Sequence, residues 1–472
     1  MISAIFDDHY EAFPTWREAG LSGLTCIHVD AHLDVMSDGF SADSLQAIAK
    51  AETSEELLAF RSNPRLPWGG FHCGNYLYPA LIDGTVETLI WVVPPHVIKG
   101  ETFVDGVRQE TQKWLDLSFQ EYSSLVSEEG RVAGTLRGRR YIVCTADNMP
   151  PLTPEQKQNL ALDIDVDYFI RSDTDQVWQT PQELYRLLGC PEPRALTVAY
   201  SVDGGYTPVK DRYLGEVVRE VFTERCASKW GAETDEILRI DSLPDAEERT
   251  EALAKLLKTA PEWLKPALFT RLGEEEKAAK IEPEYRVKPA NIVARHMMKK
   301  ENQEGLDLLK DVSRETPEVL YLRAYLQMGA EDLVEAKRNF SKLLEHPQLR
   351  EVERSRVLFL KAGVCLRLGE TRDALKLTQE AQKLEPESPQ LSYLQAQAYR
   401  AQGDGKKAAK AIRKAMRLAK GHVSSLEMMV EAAQIYDSLG QSALARSTRK
   451  ELKTVDVTGR CAIQTMLDEA KL

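Results

Sequence analysis

The chain has no apolar run approaching the ~18–20 residues that a membrane-spanning helix requires. Its opening residues, MISAIFDDHYEAF, carry two acids by position 8 and lack the basic-then-apolar order of a secretory leader. Cysteine is sparse: seven residues (Cys26, Cys73, Cys144, Cys190, Cys226, Cys365 and Cys461), odd in number, widely spread and without a CxxC pair. That usage argues against a disulfide framework or a zinc ribbon and for a reducing compartment, so a cytoplasmic protein without a membrane segment is expected. Positive charge is also short, with 61 Lys and Arg against 73 Asp and Glu and a net charge of −12. General nucleic-acid binding needs clustered cations and is therefore not expected.

What is present is ordinary globular composition, 43% hydrophobic and 28% charged over 472 residues. That length gives room for about two or three domains. The negative excess is not spread evenly. Residues 301–472 hold 28 basic and 25 acidic side chains, so the net of −15 lies in residues 1–300.

The first ~210 residues alternate short apolar runs with helix-like stretches, the pattern of an α/β domain with a largely parallel sheet. Strands are expected at Ile2–Phe6, Leu24–Val29, Leu89–Val93, Tyr141–Thr145, Leu160–Val166 and Leu196–Tyr200. Several end in acids, and in open α/β sheets ligands bind beyond the carboxyl ends of the strands.

Two stretches carry most of the chemistry. In Leu24–Met36 (LTCIHVDAHLDVM), Asp30, His32 and Asp34 alternate with Ala31 and Leu33, so a strand would turn all three polar groups to one face. In Asn159–Phe169 (NLALDIDVDYF), Asp163, Asp165 and Asp167 alternate in the same way. Three like charges on one face of a buried strand repel unless a cation lies against them. A third, weaker piece is His9 in FDDHYE, just past the first strand. All candidate ligands are carboxylates or imidazoles, which suits hard or borderline ions such as Mn²⁺.

From about residue 301 the pattern becomes helical and repeats. Gly329, Gly369, Gly403 and Gly440 recur, preceded by four positions by Tyr325, Cys365, Tyr399 or Tyr436, and by seven by Leu322, Ala362, Ala396 or Ala433. Ala374 and Ala408 follow five positions later and Ala381 and Ala415 twelve later; the first unit has its alanine displaced to Ala336. The pattern resembles the tetratricopeptide repeat, in which small residues let paired helices approach and glycine turns between them. The basic stretch Lys406–Lys420, with seven Lys and Arg around Ala411, Ile412, Ala415 and Leu418, reads as the solvated face of one such helix. Boundaries are expected at 1–224 for the α/β domain, 225–300 for a helical connector broken at Pro244, Pro261 and Pro266, and 301–472 for an all-α repeat array.

The order of His9, the DAH-x-D motif about 20 residues on and a later D-x-D resembles the ligand order of the arginase superfamily, the binuclear manganese ureohydrolases. Together with D-H, DIDxD-aromatic and a late GYTP, it is most similar to an arginase-like branch that includes enzymes converting arginine within peptides to ornithine. The resemblance covers about residues 1–220 and implies a three-layer parallel-sheet domain. It implies two Mn²⁺ per chain, held by His9, Asp30, His32 and Asp34 with either Asp163 and Asp165 or Asp165 and Asp167. Two such ions sit about 3.5–4 Å apart and supply a nucleophile at neutral pH.

Asp34 would relay the proton. His72, in the glycine-rich WGGFHCGNY, is the candidate for a second proton-transfer residue, with Asn75 as a substrate contact. Asp203 in SVDGGYTP would hold the guanidinium, with Tyr206 as a further contact. The polar pattern by which arginases grip a free amino acid is missing after DAH-x-D, where the chain reads Val35-Met36-Ser37-Asp38. The expected activity is therefore hydrolysis of arginine side chains in a peptide or protein to ornithine and urea, with the repeat groove binding that substrate or a protein partner. The competing readings are a zinc-dependent amidohydrolase or deacetylase of the same superfamily, against which Asp34 speaks, and a non-catalytic repeat scaffold.

Overall fold

Eight strands form one sheet in the computed structural model, which describes residues 1–37, 40–61, 70–224, 231–310 and 312–455. They are β1 (Ile2–Phe6), β2 (Leu24–Val29), β3 (Val86–Val92), β4 (Val126–Glu128), β5 (Arg131–Leu136), β6 (Arg139–Cys144), β7 (Leu160–Asp165) and β8 (Ala195–Ala199). Across the sheet the order is β1-β8-β7-β2-β3-β6-β5-β4. The first six in that order run parallel, while β5 and β4 close one edge as an antiparallel hairpin. The six expected strands are all present, with ends shifted by up to three residues. The hairpin is an addition: β4 is exposed throughout and β5 carries Arg131, Gly134 and Thr135, so neither shows an apolar pattern.

Helices cover both faces of the sheet. On one face Ile27, Val29, Leu162, Ile164, Leu196 and Val198 pack with Val217, Val218 and Val221 of the helix Tyr213–Thr223. On the other, Cys26, Leu89, Trp91 and Val143 meet Phe13, Trp16, Leu77 and Leu81. A sheet buried on both sides needs near-continuous apolar strands, which explains why β2, β7 and β8 have no exposed residue. Each fully buried Leu, Ile or Val contributes about 1.5–3 kcal/mol. Because β1, β8, β7 and β2 are parallel neighbours, their carboxyl ends line one stretch of the same sheet edge.

The connector divides between its neighbours. Ile237, Ile240, Leu253, Leu264, Leu268 and Tyr285 join the first of these cores, and buried Arg271 ties Asp211 to Asp241. Val293 and Ala294, on the helix Pro289–Met298, belong instead to the core of the helical array.

The array pairs Pro317–Gly329 with Leu333–Glu345, Glu351–Arg367 with Thr371–Leu384, Pro389–Ala401 with Gly405–Leu418, and Ser425–Ser438 with Ser442–Val455. Gly369, Gly403 and Gly440 take the left-handed conformation at the turns, as the repeat requires. The first repeat differs from expectation. Gly329 ends its helix and Glu331, at φ 63°, makes the turn two residues later. Shifting the register by those two residues brings the displaced alanine into line: Ala336, Ala374, Ala408 and Ala445 each follow their turn residue by five and are fully buried. Ala324, Ala362, Ala396 and Ala433 precede it by seven and are buried as completely. The helical array thus fits tetratricopeptide-type repeats. Gly405–Leu418 buries Ala408, Ala411, Ile412 and Ala415 and leaves Lys406, Lys407 and Lys410 exposed. Among the described residues no helix is long and apolar enough to cross a membrane.

Candidate metal centre

Three chain segments leave the sheet edge together and each turns a side chain inward. After β1, Asp8 caps a short 3₁₀ turn by accepting from the Tyr10 amide, which directs His9 into the interior with no exposed surface. β2 ends at Val29, so Asp30 to Asp34 lie in a loop rather than on the strand face that the alternation implied. What gathers these three is backbone geometry. The His32 amide donates to Asp30 Oδ1 at 2.6 Å, and Asp34 adopts a left-handed φ of 55°, a region that Asp tolerates better than most residues. β7 supplies Asp165 at its end, and Asp165 Oδ1 accepts from the Asp167 amide at 2.9 Å in the following 3₁₀ turn.

The result is a cluster with two lobes that share Asp30. His9 Nδ1 lies 3.2 Å from Asp30 Oδ2, 3.4 Å from Asp34 Oδ2 and 3.3 Å from Asp165 Oδ2. His32 Nδ1 lies 3.5 Å from Asp30 Oδ1 and 2.8 Å from Asp167 Oδ2. His9, Asp30 and Asp34 offer ligand atoms within 4.8 Å of one another, as do Asp30, His32 and Asp167.

These atoms approach without forming ordinary hydrogen bonds. His9 Nδ1, Asp30 Oδ2 and Asp167 Oδ2 are buried and have no hydrogen-bond partner among the described residues. Buried polar atoms left so are costly, and convergent orphans of this kind are what a cation satisfies. Burial and the neighbouring Asp30 push the Asp34 carboxyl up to about 7. Burial and Asp167 likewise raise Asp165, and burial and Asp30 raise Asp167. Burial works to lower His9 and His32, yet Asp163 facing the one and Asp167 facing the other hold both well above the usual imidazole range. The donor set is oxygen and nitrogen only, so the residues fit divalent ions such as Mn²⁺.

Asp163 stands apart. Its Oδ1 accepts from Thr197 Oγ1 at 2.5 Å, and its Oδ2 accepts from the Tyr76 hydroxyl and lies 3.1 Å from His28 Nδ1. Thr197, Asp163 and His28 sit in one row across β8, β7 and β2. Asp163 Oδ1 is also 3.1 Å from His9 Nε2, behind the imidazole. His9 Nε2, like Nδ1, has no hydrogen-bond partner among the described residues, so Asp163 faces the far nitrogen as a neighbouring charge and not through a formed hydrogen bond. The structure therefore brings Asp165 and Asp167 to the cluster and places Asp163 behind it, although His9, His28 and Asp163 also converge within 4.8 Å. Tyr76, Thr197 and Ser201, which donates to Asp165 Oδ2 at 2.5 Å, went unnoticed in the sequence.

The other expected residues fall differently. His72 Nδ1 accepts from the Gly74 amide at 3.1 Å, and burial lowers the imidazole to about 3. Among the described residues no hydrogen bond or ion pair joins His72 to the cluster. Asn75 is fully buried and staples its own loop: Oδ1 accepts from the His72 amide at 2.8 Å and Nδ2 donates to the Gly70 carbonyl at 2.6 Å. These two bonds hold the loop that carries His72. Trp68 and Gly69 of the same motif, and Asp38, lie outside the described residues. Asp203 is paired with Lys288 at 2.8 and 3.1 Å and with Asn291 at 3.3 Å, which ties its loop to the helix Pro289–Met298 and the residue before it. Tyr206 does reach the site, its ring 5.0 Å from that of His32 and nearly perpendicular to it. Trp114, not singled out in the sequence, has its ring 5.3 Å from the same imidazole and also nearly perpendicular to it.

No sequence profile of a known family matches the chain, and no curated protein matches it. Solved structures overlap part of it. MamA from Desulfovibrio magneticus is 19% identical over 37% of this chain and 99% of its own, with a TM-score of 0.33. A kinesin light chain with nearly identical TPR-like repeats from Podosopora anserina is 16% identical over 37% and 96%, with a TM-score of 0.32. PilF from Pseudomonas aeruginosa is 15% identical over 47% and 98%, also at 0.32. Scores this low carry no argument about chemistry. Fold and site together define a parallel-rich α/β domain with a buried His and Asp cluster at its strand ends, joined to a helical array that fits tetratricopeptide repeats.

Proposed function

We propose that this protein is a binuclear, manganese-dependent hydrolase of arginase type that removes urea from arginine side chains in a peptide or protein and leaves ornithine. The observation that carries the reading is the two-lobed cluster, with Asp30 shared between His9, Asp34 and Asp165 on one side and His32 and Asp167 on the other. Asp165 faces the first lobe through Oδ2 and anchors Asp167 of the second through Oδ1. When bound, a pair of divalent ions in such a site supplies a hydrolytic nucleophile at neutral pH and charge stabilisation for the transition state.

The chain's own residues do the rest. Asp163, held by Thr197 and Tyr76, faces the far nitrogen of His9 and favours its charge. Asp34 is placed to take the proton of the attacking water and return it to the departing amine. The balance is one water consumed, one C–N bond of the guanidinium broken, and urea and a primary amine released. His72, kept neutral by burial and with Nε2 unpartnered among the described residues, is the second candidate for proton transfer. A peptide substrate is favoured because the chain lacks the motif that grips free arginine's ends, and a cationic one because residues 1–300 carry a net of −15.

The test is to load the full chain with Mn²⁺ and offer a panel of arginine-containing peptides. Urea should appear, with products lighter by one carbon, two nitrogens and two hydrogens per modified residue. Full metal loading with neither product across a varied panel would sink the assignment. A single zinc per chain would favour the amidohydrolase alternative.

A further inference from the structure

The two rings that border His32 sit on segments of the α/β domain, yet each segment is fastened from outside by the helical array. Tyr206 lies in the loop after β8. Arg295, on the helix Pro289–Met298, donates through Nη1 to the backbone carbonyls of Gly205 at 3.2 Å and Tyr206 at 2.5 Å. The guanidinium is itself held by Asp175, through Nε at 2.8 Å, and Lys299 grips the same carboxylate at 2.7 Å. The packing is close: at Gly205, φ 80°, a Cβ would stand 2.8 Å from Ala294 Cβ and 2.9 Å from the Asn291 carbonyl. Lys288 and Asn291 add the three bonds to Asp203 described above.

Trp114 ends the helix Phe103–Trp114, and the residues that follow it are fastened by the turn before the helix Ser425–Ser438. Ser424 donates through its amide to Asp116 Oδ1 at 3.1 Å and through Oγ to Asp116 Oδ2 at 2.6 Å. The Val423 amide donates to the Leu117 carbonyl at 2.8 Å, and the Phe119 amide to the Gly421 carbonyl at 2.8 Å. These contacts come from opposite ends of the array.

We propose that the helical array is a working part of the site's entrance: it sets the positions of Tyr206 and Trp114 across His32 from two separate attachments, with Arg295 and Ser424 as the positioning residues. Two aromatic rings at the rim suit a delocalised cation, which ranks above a neutral side chain at such a place. The ligand class is thus a guanidinium-bearing side chain on a longer chain, and its fit depends on the array being docked at both ends. The cation preference rests on the hydrolase reading; the bracing does not.

The experiment uses the full-length protein and compares wild type with Arg295→Ala, Arg295→Lys and Ser424→Ala by hydrogen–deuterium exchange, metal content and thermal melting. Arg295→Ala should cost residues 201–208 about tenfold or more in protection, with metal content unchanged. Arg295→Lys keeps a charge for Asp175, but one ammonium cannot hold that carboxylate as Nε does and also reach the two carbonyls as Nη1 does, so it should loosen 201–208 almost as much while melting like wild type. Ser424→Ala should loosen 111–119 instead. If the enzyme is active on an arginine peptide, Arg295→Lys should raise KM more than it lowers kcat. Unchanged exchange at 201–208 in both Arg295 variants, or loosening spread evenly over the chain, would overturn the bracing. Absence of urea release by wild type would count against the hydrolase reading alone.

Discussion

Replacing Asp34 by Asn should make the metal-free protein more stable at alkaline pH while weakening its stabilisation by metal. In the apo cluster the Asp34 carboxyl is pushed from its usual 3.8 to about 7, by burial first and by Asp30 second. Holding a carboxyl at about 7 means that ionising it in the fold costs about 4 kcal/mol more than in the unfolded chain. Below pH 3.8 both states are protonated and nothing is lost. Between there and 7 the folded state binds the extra proton, so stability falls as pH rises, and above 7 the full penalty is present. Asn carries no charge and escapes it, less what it gives up in its contact with His9, which leaves a net gain of about 2–4 kcal/mol at pH 8. Thermal melting of wild type and Asp34→Asn in chelator, at several pH values from 5 to 8.5, reads this directly. The gap should widen with pH in chelator and reverse in saturating Mn²⁺, because only wild type completes both lobes. An apo variant less stable than wild type at pH 8 would refute the view that these carboxylates are held together at a cost that a cation removes.

Other outcomes follow from other parts of the molecule. Tyr76→Phe removes a donor to Asp163 and frees the restraint behind His9, so Mn²⁺ affinity measured by titration calorimetry should fall about 10–100-fold without loss of either lobe's ligands. Arg271→Ala leaves Asp211 buried without its partner and should destabilise by about 3–5 kcal/mol, read as a lower melting temperature. Glu331→Gly relieves a left-handed non-glycine residue in the first repeat turn; it should stabilise the array by about 1 kcal/mol, since the exposed pair with Arg367 contributes little.

The strands and the repeats were legible because both rest on local periodicity. Six strands came out near their observed ends, while β4 and β5 escaped because the edge strand β4 is exposed and β5 buries Arg131 beside Val132 and Ala133, so neither alternates. The repeat register was misread only where Glu331, not Gly329, makes the turn, a choice that φ reveals and residue type conceals. At the cluster the residues that converge were named from the sequence, but for a partly wrong reason. Asp30, His32 and Asp34 converge through an Asx turn and a left-handed residue beyond the strand end, not through the pleat. The choice between Asp163 and Asp167 turned on Thr197 and Tyr76, which contact Asp163 across 34 and 87 positions of sequence. Asn75 also bonds Gly70, and Asp203 also bonds Lys288 and Asn291, and nothing in the spacing of a single sequence announces such pairings. Arg295 and Trp114 were invisible for the same reason.

Metal stoichiometry bears most directly on the central claim. Wild type and Asp30→Ala, purified in full length, should be equilibrated with Mn²⁺, freed of excess ion and measured by elemental analysis. Asp30 faces both lobes, so wild type should retain two ions per chain and the variant fewer than one. A wild-type protein that retains no stoichiometric metal, or an Asp30→Ala variant that still holds two, would contradict the assignment of the cluster as a binuclear centre.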